Sequence, residues 1–351
     1  MAFRASVPLR HFILPALRRN SMQNPSQGRT QWDPNRLKLT SRNRLKIKLT
    51  GYTGTLRVEI PFYVLVGKRR EPGILILAGV HGDEYEGVAA LQELAKEVDP
   101  KKLMGTLTLV PVANPQAFYA GTRRNPADFG DLNRSFPGNP DGTPSERLAH
   151  TLFQELVLGN DCLLSMHGWS KESQVVTYVE YPAGNSAACR KSYAAARALG
   201  QEYLHPYVWP KGVLGEAAIK YGIACIEPEV GGMGTVTREG QCTYREMVYR
   251  LLSHWKMTDL TTELNRPASN PKIIGHSDVF ANHSGLFRCH ANIGGSVKKE
   301  ELLGEIHGLG GERLQEVRAP RAGVVGVLRT FASVQPGDRL VQIFYGKGKA
   351  K

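Results

Sequence analysis

The feature that most restricts the fold of this chain is an alternation of short apolar runs with segments of helical periodicity between residues 74 and 256. Ile74–Val80 has the length and apolar content of a buried strand, and Glu84–Val98 follows it with apolar residues at helical spacing. Further strand-like runs are Thr106–Val112, Cys162–Met166 and Ile223–Ile226, and further helix-like runs are 145–158, 186–200, 213–221 and 243–256. This alternation is typical of βαβ units. We therefore expect an α/β fold with a mixed, largely parallel sheet and helices on both of its faces.

The chain changes character after Pro267, and this change predicts a second domain. Residues 280–345 are rich in Gly and in short β-type runs, with little helical periodicity. At 351 residues, the chain is long enough for one large domain and one small one. We expect a basic, disordered N-terminal extension over residues 1–35, a main domain over 36–266 and a small all-β domain over 267–351.

The net charge of +13 is concentrated near the N-terminus, which argues against a nucleic-acid-binding surface on the body of the protein. Residues 1–48 hold eleven Lys or Arg and a single acid, Asp33, so only +3 of the charge belongs to the remaining 303 residues. The extension alone could contact anionic surfaces, but a solvated tail is the simpler interpretation. No apolar run approaches the roughly 20 residues that span a bilayer. We therefore expect neither nucleic acid nor a membrane as a partner.

Five scattered cysteines, none of them in a CxxC pair, predict reduced thiols rather than a disulfide framework. Reduced thiols favour a reducing compartment, and we expect a cytoplasmic protein. Residues 1–20 are rich in Arg and contain no acid, which is also typical of a mitochondrial transit peptide, although Pro8 and Pro15 interrupt a helix there. A mitochondrial matrix location is therefore the alternative. The favoured interpretation of these residues is an unstructured extension, with translation starting at Met22.

Side chains that bind metal ions follow the ends of three predicted strands. His81 and Glu84 come directly after the first strand, His167 after the third and Glu229 after the fourth. Because the carboxyl ends of parallel strands meet at one edge of an open sheet, we expect these four side chains to converge. Two imidazoles and a carboxylate with an open fourth position are the arrangement of a catalytic zinc site. A lone His-x-x-Glu pair is common by chance, so the prediction depends on the convergence.

Segments in four regions of the chain together resemble the succinylglutamate desuccinylase and aspartoacylase family, which is similar to the zinc carboxypeptidases in fold and catalytic plan. They are HGDEYEG at residues 81–87, GTRRNP and DLNRSFPG within 121–138, the strand-end His167, and EVGG at 229–232. The resemblance covers about residues 70–345, because the C-terminal part is also similar, less specifically, to the small β domain of the family. It implies a zinc carboxypeptidase-like fold and hydrolysis of an amide bond in an N-acyl amino acid or a similar small molecule.

The resemblance assigns the metal ligands and the proton-transferring group. By motif match, His81, Glu84 and His167 would hold one Zn²⁺ per chain. Glu229 would act as general base and acid, taking a proton from the attacking water and passing it to the leaving amine. Glu227 lies two residues earlier and could face the same side of an extended strand. Glu229 is preferred because it begins the EVGG segment that matches the family.

The resemblance also assigns the residues that would contact the substrate. Arg123 would polarise the scissile carbonyl and stabilise the oxyanion, with the neighbouring Arg124 as the alternative. Asn133 and Arg134 would hold a substrate carboxylate, for which the planar guanidinium is well suited. Taken alone, the DLNR segment is equally typical of a loop with a surface ion pair.

One segment departs from the family pattern. The family commonly has an acid shortly before the third metal ligand, as in Asp-Leu-His, whereas this chain has Ser165, Met166 and His167. Carboxylates near a metal site orient the bound histidines and tune their basicity. The departure leaves the orientation of the His167 ring and the level of activity open.

The leading functional hypothesis is a zinc-dependent deacylase acting on a small N-acylated substrate. The alternative is a metallocarboxypeptidase that trims C-terminal residues from peptides, because both reactions use the same zinc chemistry and the same carboxylate-binding pair. The small β domain favours the deacylase, since in the resembled family it helps to limit access to small substrates. A non-catalytic binding protein is a third hypothesis, and the presence of every expected ligand and of the base argues against it. The acyl group, the amine and the oligomeric state stay open, a homo-oligomer included.

Overall fold

The computed structural model describes residues 31–49, 58–258 and 270–346. Most of the predicted N-terminal extension and the predicted boundary before the C-terminal domain therefore lie outside the described residues. Within the described parts of the chain, no helix combines the length and the apolar character needed to cross a membrane.

The described residues form sixteen strands, which fall into two sheets. In chain order the strands are β1 Ser41–Leu49, β2 Val58–Val66, β3 Gly73–Leu77, β4 Thr106–Val110, β5 Cys162–Ser165, β6 Ser173–Pro182, β7 Tyr203–Tyr207, β8 Ala224–Gly232, β9 Lys272–Phe280, β10 Gly285–Cys289, β11 Ser296–Val297, β12 Leu302–His307, β13 Arg313–Arg318, β14 Gly323–Arg329, β15 Ser333–Val334 and β16 Arg339–Gly346. The larger sheet has the order β1-β2-β4-β3-β5-β8-β6-β7-β9-β16-β14-β11, and the smaller one has the order β13-β12-β10-β15.

The larger sheet is mixed, and only part of it is parallel. Strands β4, β3, β5 and β8 are parallel neighbours, and β6, β7 and β9 form a second parallel group. The two groups run in opposite directions because β8 and β6 pair antiparallel, and both ends of the sheet are antiparallel too. The prediction of a largely parallel sheet is thus met only in part. The apolar runs identified the central strands, but β1, β2, β6 and β7 carry polar residues on one side and were missed.

Helices cover both faces of the sheet, as the alternation predicts. They are α1 Glu86–Glu97, α2 Pro115–Ala120, α3 Pro144–Leu152, α4 Ala187–Ala198, α5 Leu214–Lys220 and α6 Arg238–His254. The strand residues Ile74 and Ile76 pack with α1, α4 and α6 in one apolar core, whereas Leu75 and Leu77 pack with α3 and α5 in a second core. This division follows from the period of two along a strand, which sends successive side chains to opposite faces.

Capping residues set the helix boundaries, and one strand is longer than its apolar run. Thr143 and Glu146 form a reciprocal capping box at the start of α3, as its sequence suggests. Helix α6 begins five residues earlier than its periodicity predicts, because the Thr237 side chain caps it. Strand β8 continues to Gly232, so Glu229 lies within the strand and not beyond its end, which corrects the prediction.

The C-terminal part is all-β, as predicted, but its strands are divided between the two sheets. Strands β9, β16, β14 and β11 extend the larger sheet, and β14 also pairs with β6 of the main part. The smaller sheet packs on these strands through a core that includes Phe287, Leu303, Ile306 and Ile343. The prediction of a small separate β domain is therefore met only in part, because the segment is all-β but four of its strands continue the main sheet.

Phe344 of β16 provides a test of this continuity. Its side chain is 2% exposed and packs edge-on against Tyr178 of β6, with the ring centroids 5.2 Å apart. We expect Phe344→Ala to lower the free energy of unfolding by about 3–5 kcal/mol in urea denaturation, because it removes a buried ring and leaves a cavity. Phe331→Ala, at a ring that is 53% exposed, should change it by less than about 0.5 kcal/mol. Equal effects of the two changes would contradict the packing of β16 on β6.

Candidate metal centre and active site

The sheet delivers His81, Glu84 and His167 to one point. His81 and Glu84 lie between β3 and α1, and His167 lies two residues beyond β5, which is the parallel neighbour of β3. The turn at Gly82 fits because the residue has no side chain: a Cβ there would fall 1.9 Å from the carbonyl carbon of Ala117. Close approach to α2, and not an unusual backbone angle, is therefore what requires glycine at this position.

The three side chains are buried, and their ligand atoms lie within 4.8 Å of one another. Nδ1 of His81 lies 2.7 Å from Oε1 of Glu84, and Nδ1 of His167 lies 3.0 Å from Oε2 of the same carboxylate. Both imidazoles thus direct the same nitrogen toward the Glu84 carboxylate. Buried nitrogen and oxygen donors around one point match the ligand set of zinc, and the convergence predicted from the sequence is present.

The electrostatics of this cluster favour positive charge beside the Glu84 carboxylate. Burial opposes the ionisation of Glu84, but the charges of His81 and His167 outweigh it and hold the pKa of Glu84 well below its usual range. Burial likewise opposes a charged His167, yet the Glu84 carboxylate raises the pKa of His167 to about 10. A divalent cation would supply the same positive charge in place of the protons. The donor set therefore fits a metal ion.

The outer nitrogens of both imidazoles have polar partners, which fixes the ring orientations. Nε2 of His81 lies 3.3 Å from Oδ1 of Asp131, and Nε2 of His167 lies 3.0 Å from Oγ of Ser165. Such outer partners are a regular feature of metal-binding histidines. Ser165 stands where the family pattern has an acid. Its hydroxyl provides the polar partner for the His167 ring that an acid would provide.

Arg123 faces the cluster, whereas Arg124 does not. The Arg123 guanidinium donates from Nε to Oδ2 of Asp131 at 3.1 Å, and its Nη1 lies 3.9 Å from Oε1 of Glu84. Arg124 is exposed and donates to the backbone carbonyl of Phe129. Asp131 therefore holds both His81 and Arg123, a role that the sequence analysis did not assign to this residue.

Asn133 and Arg134 both line the cavity, but Asn133 is buried and Arg134 is exposed. Oδ1 of the buried Asn133 accepts a hydrogen bond from the backbone N–H of Leu214 at 2.8 Å, which fixes the amide plane and leaves its NH₂ group as the donor for a ligand. Arg134 is exposed, and one of its guanidinium nitrogens donates to the carbonyl of Asn133 at 2.7 Å.

Glu229 and Glu227 of β8 both line the cavity. Oε2 of Glu229 accepts the backbone N–H of Trp169 at 3.0 Å, and burial, followed by the negative charge of Glu84, raises the pKa of Glu229. Oε2 of Glu227 lies 4.0 Å from Nε2 of His167, and burial raises the pKa of Glu227 to about 7. Of these two carboxylates, Glu229 is the one whose pKa the charge of Glu84 raises.

The backbone around these carboxylates is strained or crowded. Trp169 has a φ of 29°, an unfavourable value for a residue with a side chain, and this conformation presents its N–H to Glu229. Gly231 has a φ of 84°, and a Cβ there would fall 2.1 Å from the buried carboxylate of Glu86. The glycines of EVGG are thus required by both conformation and space.

Several residues that shape the site were not predicted from the sequence. Tyr244 of α6 is fully buried and donates its hydroxyl hydrogen to the backbone carbonyls of His167 and Pro228, which joins the segment after β5 to β8. Tyr178 and Glu180 of β6 line the cavity together with residues of the C-terminal strands. The period-two pattern of polar and apolar residues in β6 was the available signal for this strand. The cavity has a volume of about 390 Å³.

Comparisons with known proteins agree with this geometry. Residues 70–255 match the model of the succinylglutamate desuccinylase/aspartoacylase catalytic domain. The N-alpha-acetyl-L-2,4-diaminobutyric acid deacetylase of Halomonas elongata is 31% identical over 82% of this chain and 85% of its own length. The chain belongs to the succinylglutamate desuccinylase/aspartoacylase family, which confirms the resemblance drawn from the motifs.

Solved structures lead to the same family. The product-bound ectoine utilization protein EutE (DoeB) from Ruegeria pomeroyi has a TM-score of 0.80 and 27% identity, covering 88% of this chain and 97% of that one. The succinylglutamate desuccinylase/aspartoacylase from Rhodobacter sphaeroides has a TM-score of 0.79 and 27% identity, covering 89% and 98%. The similarity therefore extends over nearly the whole length of these relatives, the C-terminal β part included.

Asp131 offers a test of the metal centre that does not depend on turnover. We expect Asp131→Asn to weaken zinc binding about 10–100-fold, because the amide cannot hold the His81 ring and the Arg123 guanidinium by charge. The affinity can be measured by competition with a chromophoric chelator. Asp99→Asn is the matched control, since Asp99 caps a similar 3-10 turn outside the cavity. Unchanged zinc affinity in Asp131→Asn would contradict the role of this carboxylate.

Proposed function

We propose that this chain catalyses the zinc-dependent hydrolysis of the amide bond in a small N-acyl amino acid or a related N-acylated compound. One observation carries the proposal: His81, Glu84 and His167 are gathered around a single point of a cavity that Glu229 and Arg123 also line. A metal ligand set, a carboxylate for proton transfer and a guanidinium for a carbonyl oxygen are the groups that amide hydrolysis requires. The deacetylase relative from Halomonas elongata supports the deacylase class.

The metal would be held by His81, Glu84 and His167, one ion per chain. When bound there, zinc supplies Lewis acidity toward an oxygen atom and favours the deprotonated form of water. Glu229 accepts a proton from the attacking water and delivers it to the leaving nitrogen. The N–H of Trp169 fixes one oxygen of Glu229, and the raised pKa of Glu229 suits a group that must both take up and release a proton near neutral pH.

The remaining polar groups orient the substrate. Arg123, held by Asp131, directs its guanidinium toward the Glu84 side of the cavity, where it can donate to the scissile carbonyl as negative charge develops on the oxygen. The NH₂ group of Asn133 and the guanidinium of Arg134 supply donors for the carboxylate of an amino acid. Together, these three residues allow the substrate amide to bind in one orientation.

A metallocarboxypeptidase is the second candidate, because it would use the same ligands and the same carboxylate-binding pair. The shape of the cavity favours the deacylase. His276 of β9 and Arg339 and Gln342 of β16 line one wall, so the C-terminal strands narrow the space beside the metal ligands. A volume of about 390 Å³ is at the small end of the range for ligand sites.

A substrate screen combined with Glu229→Gln tests the proposal. We expect the zinc-loaded protein to hydrolyse N-acetyl amino acids and to leave short peptides intact. Glu229→Gln should keep one zinc per chain and lose about 10²–10⁴-fold in turnover, because it cannot transfer a proton. Glu216→Gln, on the outer side of α5, is the control. Peptide trimming without deacylation would favour the carboxypeptidase, and zinc binding with hydrolysis of neither substrate class would contradict both candidates.

Arg123 and Arg124 form a matched pair for testing the oxyanion donor. We expect Arg123→Ala to lower kcat about 10²–10³-fold, the usual effect of removing one donor to a developing oxyanion. Arg124→Ala should leave kcat within about twofold, because its guanidinium faces the loop at Phe129. Steady-state kinetics on the best N-acetyl amino acid provide the measurement. A larger loss in Arg124→Ala than in Arg123→Ala would reverse the assignment.

A further inference from the structure

The proposed reaction makes no use of Glu227, although this carboxylate lies beside a metal-binding imidazole. Nε2 of His81 lies 3.3 Å from a carboxylate oxygen, Oδ1 of Asp131. Nε2 of His167 lies 3.0 Å from the Ser165 hydroxyl and 4.0 Å from Oε2 of Glu227. Because a hydroxyl carries no charge, the negative charge beside the outer nitrogen of His167 comes from Glu227. Each of the two imidazoles therefore has one carboxylate near its outer nitrogen.

The register of β5 and β8 brings Ser165 and Glu227 to the same face of the sheet. Leu163 of β5 is paired with Cys225 of β8, and both side chains belong to the core that contains α3 and α5. Ser165 and Glu227 come two residues after this pair, and side chains two residues apart in a strand share a face. The direct acceptor for Nε2 of His167 and the charge beside it are thus delivered by two adjacent parallel strands.

The backbone of α5 holds the Glu227 carboxylate in place. Oε1 of Glu227 accepts a hydrogen bond from the N–H of Gly215 at 3.1 Å. The preceding N–H in the helix, that of Leu214, donates to the Asn133 side chain at 2.8 Å. With Oε1 fixed in this way, Oε2 is the oxygen of Glu227 that approaches His167.

The surroundings of Glu227 offer one positive partner. The residue is 5% exposed, and a carboxylate buried without a positive partner is costly. In the part of the chain that the structure describes, His167 is the one basic side chain at ion-pairing distance from Glu227. An imidazole that binds a metal ion through Nδ1 carries its hydrogen on Nε2, and a carboxylate near that hydrogen fixes the ring and strengthens it as a ligand.

We propose that Glu227 is a positioning residue for His167: its carboxylate keeps the ring hydrogen on Nε2, where the Ser165 hydroxyl accepts it, and so leaves Nδ1 available to the metal ion. This inference rests on the proposed function, because it takes His167 as a metal ligand. Proton transfer to and from the substrate stays with Glu229. Glu227 acts on the reaction only through the metal centre.

Zinc affinity separates the role of Glu227 from that of Glu229. In chelator competition without substrate, we expect Glu227→Gln to weaken zinc binding about 10–100-fold, because an amide has no charge to hold the hydrogen on Nε2. Glu229→Gln should bind zinc as the unmodified protein does. Glu216→Gln, on the helix that holds Glu227, is the matched control and should also keep its affinity. Unchanged zinc affinity in Glu227→Gln, whatever its turnover, would overturn the inference.

Returning the charge from the neighbouring strand distinguishes positioning from support of the fold. The Ser165 hydroxyl lies 3.0 Å from Nε2 of His167, so Ser165→Asp brings a carboxylate to the same nitrogen. We expect the double variant Glu227→Gln/Ser165→Asp to recover most of the lost zinc affinity, because it restores both the number of buried carboxylates and a negative charge at Nε2. A folded double variant that binds zinc no better than Glu227→Gln would contradict the inference.

The hydrogen on Nε2 provides a measurement that does not require the double variant. In protein saturated with zinc and carrying isotope-labelled histidine, NMR reports the ring nitrogens directly. We expect Glu227→Gln to shift the Nε2–H signal of His167 more than that of His81, since only His167 is next to the lost charge. Glu216→Gln should leave both signals in place. An unmoved His167 signal, or equal shifts at the two rings, would count against the positioning role.

The two proposals fail in different measurements. Absence of hydrolysis for every N-acetyl amino acid would refute the deacylase, whereas the zinc affinities of the Glu227 variants decide the positioning role without turnover. Full deacylase activity together with unchanged zinc affinity in Glu227→Gln would keep the proposed function and refute this inference alone.

Discussion

The Glu84 carboxylate, buried between two imidazoles, is the interaction on which the rest of the site depends. Burial alone would favour its neutral form, and the interactions with His81 and His167 hold the pKa of Glu84 well below its usual range. A carboxylate in this position is stable when cationic groups surround it, and the strand ends provide them from two different parts of the chain. The outer contacts, from Asp131 to His81 and from Ser165 to His167, hold the rings so that both Nδ1 atoms face Glu84.

Strand β8 links this cluster to the remainder of the cavity. On one side it pairs parallel with β5, which places His167 beside Glu229, and on the other side it pairs antiparallel with β6. The reversal of strand direction at β8 brings Tyr178 and Glu180 to the same wall as Glu227 and Glu229. Glu229, the proposed acid-base carboxylate, and Tyr178 therefore belong to one strand pair, and the spacing between them is set by the strand geometry.

Sequence reasoning was successful where the determinants are local. Apolar periodicity predicted the α/β class and the main helices, and the positions of His81 and His167 relative to strand ends predicted their meeting. Motif resemblance led to the family, which the comparisons confirm. The choice of Arg123 over Arg124 agrees with the structure, in which only Arg123 lines the cavity, although its role in the reaction stays a prediction.

The sequence by itself determined which residue types are available and where each stands relative to its nearest strand or helix, because those properties depend on neighbours along the chain. Only the tertiary structure decided that β6 runs antiparallel to β8, that Asp131 joins His81 to Arg123, and that C-terminal strands form a wall of the cavity. These arrangements join residues that are distant in the chain. They are selected by the packing of whole elements against each other, and no local pattern records which partner an element will find.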